Sequence, residues 1–108
     1  KAVSAHKLDP SCHYLRAIVL VEQGAVDEAR QELRRTLFLD RDFVLAHFAL
    51  GNLARGRGQV GEAGRHFRNA TQCLRKYAPG EVLPESDGIN AERLAEIIES
   101  TMEEEGLA

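Results

Sequence analysis

Gly56-Arg57-Gly58-Gln59-Val60-Gly61 spells GxGxxG, a spacing that elsewhere lets a backbone approach a pyrophosphate at a helix N-terminus. That chemistry needs a buried strand directly before the glycines. Here the preceding residues carry the spacing of an amphipathic helix, so no dinucleotide or other cofactor is expected. His13 and His47 lie 34 residues apart on equivalent helical positions, with His6 and His66 elsewhere. No HxxxH or Cys/His spacing accompanies them, and no metal is expected. Cys12 and Cys73 lack a CxxC partner, which argues against a zinc site or a disulfide framework and reads both as reduced small hydrophobes. Ser4, Ser11, Ser86 and Ser100 sit in no nucleophile elbow. No catalytic residue is therefore predicted.

The same residues make better sense as packing elements. Gly24-Ala25-Val26-Asp27-Glu28-Ala29-Arg30 returns 34 residues later as Gly58-Gln59-Val60-Gly61-Glu62-Ala63-Gly64, and the echo extends to Tyr14/Phe48, Ala17/Gly51, Leu33/Phe67 and Thr36/Ala70. A fixed period between about 20 and 50 residues marks a stacked-repeat architecture, in which each unit buries its apolar face only against its neighbours. A binding module is predicted rather than an enzyme.

Within each unit the apolar residues recur at helical spacing. The pattern predicts helices over about 11–23, 27–39, 43–56 and 60–77, broken at Gly24, Asp40-Arg41-Asp42 and Gly56/Gly58. The apolar stripe of the second comprises Ala29, Leu33, Leu37 and Phe38; that of the fourth, Val60, Ala63, Phe67, Ala70 and Leu74. Short connections make consecutive helices antiparallel. The repeats then span 10–42 and 43–76, preceded at 1–9 by the end of an earlier helix that Asp9-Pro10 halts. Pro79-Gly80, Pro84 and Asp87-Gly88 make 77–90 an irregular linker. Asn90 can cap a fifth helix, within an acidic capping segment at 91–108, whose stripe of Leu94, Ile97, Ile98 and Met102 would bury against the fourth.

The 34-residue helix-turn-helix period resembles the tetratricopeptide repeat, with small residues where helices approach most closely and the bulky Tyr14/Phe48 and Leu33/Phe67 between them. The resemblance implies an all-α solenoid of helical hairpins with a C-terminal capping helix. The chain departs from the family pattern at His13 and His47, where Trp is usual, and at Arg41, where Pro is usual. A narrower resemblance lies in the wording of Leu8 to Ala17, Phe43 to Arg55 and Glu81 to Gly88, which is similar to the C-terminal repeat region of bacterial chemotaxis-receptor methyltransferases of the CheR type. It implies an upstream catalytic domain that uses S-adenosylmethionine to methylate receptor glutamates. This segment would then be a cytoplasmic regulatory or docking domain for a chemoreceptor or chemosensory signalling protein.

Composition is consistent with such a module. Of 108 residues, 44% are apolar and 29% charged, ordinary for a globular chain. The longest apolar run, Ala17 to Val21, falls far short of the roughly 20 residues that span a bilayer, and no signal-peptide pattern opens the chain. Residues 1–80 hold 13 Lys or Arg against 8 acids, whereas 81–108 hold one Arg against 9. The first part is too weakly basic, and too interspersed with Asp27, Glu28, Glu32 and Glu62, for a nucleic-acid footprint.

By the repeat register, a groove along the inner helices should be lined by Tyr14, Ile18, Val21, Leu45, Phe48, Asn52 and Arg55, with the bulkiest of them shared with the core. Such an apolar strip with one amide and one guanidinium suits an amphipathic helix or an apolar peptide. The acidic last helix could instead cover the basic body through Arg30, Arg34, Arg65 or Arg68. Self-association through the exposed end of the array, or a generic scaffold role, is the alternative to a chemosensory partner.

Overall fold

A computed structural model describes residues 9–107. Five helices follow in order: α1 (Pro10–Glu22), α2 (Val26–Leu39), α3 (Val44–Gly56), α4 (Val60–Leu74) and α5 (Ala91–Glu104). The earlier helix expected at the start of the chain lies outside the described residues, but Asp9-Pro10 has a clear role. It opens α1: the Asp9 carboxylate accepts from the Ser11 N–H at 2.9 Å, and Pro10 occupies a position where no donor is needed.

The turns explain the glycine echo. After α1, Gly24 has φ +80°, its N–H bonds the Val21 carbonyl, and Ala25 bonds Leu20. After α3, Gly58 has φ +77° and the matching bonds run Gly58 to Arg55 and Gln59 to Ala54. Both are Schellman caps, which need a residue tolerant of positive φ. The GxGxxG glycines are therefore spent on ending α3 and starting α4.

Each hairpin closes over small residues. Ala17, Ala29, Thr36, Ala63 and Ala70 are fully excluded from solvent, as are Leu33 and Phe67. Gly51 lies against the Phe67 ring, where even a single added carbon would come within 2.6 Å of it. Phe38 departs from the expected stripe and is 86% exposed. At 100° per residue it falls off the face that Ala29, Leu33 and Leu37 share. Helix α4 ends at Leu74, three residues before its expected end. The N–H groups of Arg75, Lys76 and Tyr77 bond three residues back rather than four, a tightening that swings Tyr77 against the core.

The segment between α4 and α5 does more than connect. Leu83 is 2% exposed and belongs to the core. Its N–H bonds the Ile89 carbonyl at 2.9 Å, while the Ser86 hydroxyl reaches the carbonyls of both Leu83 and Ile89. Ala91 and Glu92 bond back to Glu81 and Pro79 at 2.9 Å each, so both ends of the loop are clamped. Asn90 then caps α5 by accepting from the Arg93 N–H at 2.8 Å. Leu94 and Ile98 are 1% exposed and seat α5 on the array.

Candidate functional site

Tyr14, Leu15 and Ile18 of α1, Leu45 and Phe48 of α3, and Leu94 and Ile97 of α5 converge on one open groove of 590 Å³. The clamped loop closes one side with Leu83, Ile89 and the polar residues 85–88. Of the seven residues expected to line the inner face, four meet here. Tyr14 and Leu45 are mostly buried, at 8% and 7% exposure, and form its floor. Tyr14 rests on Phe43 with ring centroids 5.2 Å apart, and Phe48 on Phe67 at 6.0 Å. Ile18 and Phe48 remain half-buried and reachable. Val21, Asn52 and Arg55 lie beyond the groove.

Arg55 is engaged from another direction. Its Nε donates to Glu105 Oε2 at 2.8 Å and its Nη2 to Glu104 Oε1 at 3.3 Å. Helix α5 itself packs chiefly on α4, with Ile97 lining the groove and the acids at its C-terminal end reaching Arg55 on α3. The acidic helix thus meets the body through Arg55. Of the four arginines expected for that contact, Arg30 pairs with Asp27 and Glu62 within the repeats, and none forms an ion pair with α5 among the described residues.

At the opposite end, Glu85 and Asp87 project from the loop with φ of +60° and +58°, a conformation side-chain-bearing residues seldom adopt. Burial, and secondarily the Glu85 carboxylate, hold the Tyr14 phenol above its ordinary pKa.

Three titratable clusters lie away from the groove. Glu32 is 6% exposed. It is satisfied by His13 Nδ1 at 2.7 Å and Arg35 Nη1 at 2.6 Å, with Arg16 at 3.8 Å. Burial pushes its carboxyl up, but the His13 hydrogen bond and the Arg35, His13 and Arg16 charges outweigh that and hold it below the ordinary value. His47 and His66, which sequence did not associate, lie close enough for His47 to add slightly to the lowering of the His66 pKa, which is due mainly to burial. His47 Nε2 contacts the Arg41 carbonyl at 2.9 Å, and the Nδ1 atoms of both rings are buried without a partner. Cys73 is buried beside Asp42, which is paired with Lys76; burial and then the Asp42 charge raise its thiol pKa. Among the described residues no three His, Cys, Asp or Glu side chains are grouped to hold a metal ion, and no helix is long and apolar enough to cross a membrane.

Antiparallel helix pairs stacked in register, with their first helices lining a common groove, define a helical-repeat solenoid. The family model of the tetratricopeptide repeat matches residues 10–35 and 44–69, which fall within the α1–α2 and α3–α4 hairpins. The chain is thus built on two tetratricopeptide repeats followed by a capping helix. No curated protein and no solved structure matches it.

Proposed function

We propose that the chain is a protein-docking module whose ligand lies along the inner helices, and that it is the regulatory or docking part of a chemotaxis-type protein-glutamate methyltransferase. The docking reading is carried by one observation: apolar side chains from two repeats and the capping helix gather in a single open groove. Accessible apolar surface of this kind is costly to leave in water and is the usual seat of a partner segment. The methyltransferase context rests on the wording of three segments. Two of these, Phe43 to Arg55 and Glu81 to Gly88, supply α3 and the loop at the groove's lip. Methyl transfer would belong to another domain of the parent enzyme, and this module would select or restrain the chemoreceptor or signalling protein presented to it in the cytoplasm.

Calorimetric titration of the purified chain with cytoplasmic segments of chemoreceptors tests both parts. Saturable binding that Ile18→Glu abolishes, with helicity unchanged, is the expected result. Binding indifferent to Ile18→Glu places the site elsewhere, and no binding by any receptor segment removes the chemosensory context. Self-association is a second reading, favoured by Phe38, which stands 86% exposed beside Leu39. Light scattering over a concentration range distinguishes it, since a monomer throughout excludes that role.

A further inference from the structure

The groove is electrically one-sided, and the chemistry of its ligand follows, given the docking reading above. Its floor is apolar. The one guanidinium expected on the inner face, Arg55, already faces two carboxylates, Glu104 and Glu105, so an incoming carboxylate would meet net negative charge there. At the other end Glu85 and Asp87 line the groove, and neither forms an ion pair among the described residues. Their loop is held by the buried Leu83 and by the Ser86 hydroxyl, so the lip is preorganised and little ordering opposes binding.

We propose that this groove receives an amphipathic helix of a partner protein, its apolar face against Ile18, Phe48 and Ile97 and its flanking Lys or Arg residues over Glu85 and Asp87. A helix fits because apolar anchors spaced i, i+3, i+4 and i+7 can follow a floor contributed by three separate helices. Basic flanks fit because they supply the charge the lip lacks, steering encounter as well as holding the complex. Ligands recognised by a terminal carboxylate are disfavoured.

Two peptides of about four helical turns, identical on their apolar face and carrying either Lys or Glu on its flanks, provide the test. Binding is followed by fluorescence anisotropy and mapped by amide chemical shifts on the intact chain. The Lys peptide should bind at least about tenfold more tightly, with shifts on α1, α3 and the 83–89 loop. Glu85→Gln and Asp87→Asn should each weaken it about twofold to fivefold, as for an exposed charge pair. The charge preference should fade near 1 M salt, where screening acts within about 3 Å. Equal binding, or preference for the Glu peptide, at the same groove overturns the basic-ligand inference while leaving the docking site intact. Shifts confined to the Phe38 side, insensitive to Ile18→Glu, overturn both. Binding of neither peptide overturns the inference, as does concentration-dependent dimerisation that shifts the groove resonances without peptide, since the occupant is then a second copy.

Discussion

Gly51→Ala adds one carbon and should nonetheless unsettle the second hairpin. The new Cβ would lie 2.6, 2.7 and 2.9 Å from three carbons of the Phe67 ring, against an ordinary carbon contact of about 3.5–4.0 Å. The ring is fully buried and packed on Phe48, so it must move by about 1 Å in a space already filled. Overpacking of this sort costs about 1–3 kcal/mol, while replacing a mid-helix glycine by alanine contributes about 0.8–1.0 kcal/mol in the opposite direction. The net is a destabilisation of about 1 kcal/mol, read from the urea midpoint by circular dichroism. The first repeat shows how the clash is avoided: Ala17 and Leu33 occupy the matching positions, one carbon more on the first helix facing a smaller side chain on the second. Adding Phe67→Leu to Gly51→Ala should therefore recover stability, with a coupling of about 1 kcal/mol or more in the double-mutant cycle. Gly61→Ala, in open space in the first turn of α4, is the control and should stabilise slightly. Additive effects, or a Gly51→Ala variant as stable as Gly61→Ala, would refute the assignment of Gly51 to close helix packing.

Other outcomes follow from the buried groups. Burial lowers the His66 pKa below 6.5, with Glu62 opposing and Arg65 and His47 adding to the effect. The folded state therefore favours the neutral ring, giving stability that is full above pH 6.5 and lost as pH falls through the lowered folded value; thermal melts of His66→Gln should lose that dependence. Glu32, lowered from 4.5, contributes stability present above pH 4.5 and lost below it, and Glu32→Gln should cost about 1–3 kcal/mol while flattening the acid limb. Cys73, buried and with a raised pKa, should alkylate with iodoacetamide far more slowly than the partly exposed Cys12 until urea unfolds the chain; equal rates would contradict its placement. Gly58→Ala at φ +77° should cost about 1–2 kcal/mol, again by urea denaturation.

What could be read from the sequence was whatever repeats or lies within one helical turn. The 34-residue echo located both hairpins because close packing demands small residues at fixed intervals, and Gly24 and Gly58 marked their turns because few other residues tolerate that backbone. Phe38 was assigned to the wrong face because a single residue step rotates a side chain by 100°. Contacts made across the chain were not legible. Glu32 is buried with His13, 19 residues away, as one of its partners, and Arg55 is occupied by carboxylates 49 and 50 residues distant. Leu83 entered the core from a segment whose composition indicated only turns. Tyr14, Ile18, Leu45 and Phe48, named from the repeat register, line one groove in the structure, whereas Glu85 and Asp87 on its rim were not named, since nothing local in them says that the loop folds back over α1 and α3.

The central claim, that partners dock on the inner helices, is tested most directly by site-specific photocrosslinking. A photoreactive phenylalanine analogue is placed singly at Ile97, inside the groove, and at Phe38, the most exposed large apolar side chain among the described residues. Each chain is then irradiated with the Lys-flanked peptide. Crosslinking from position 97 and not from position 38 is the predicted result, whereas crosslinking from position 38 alone would contradict the account.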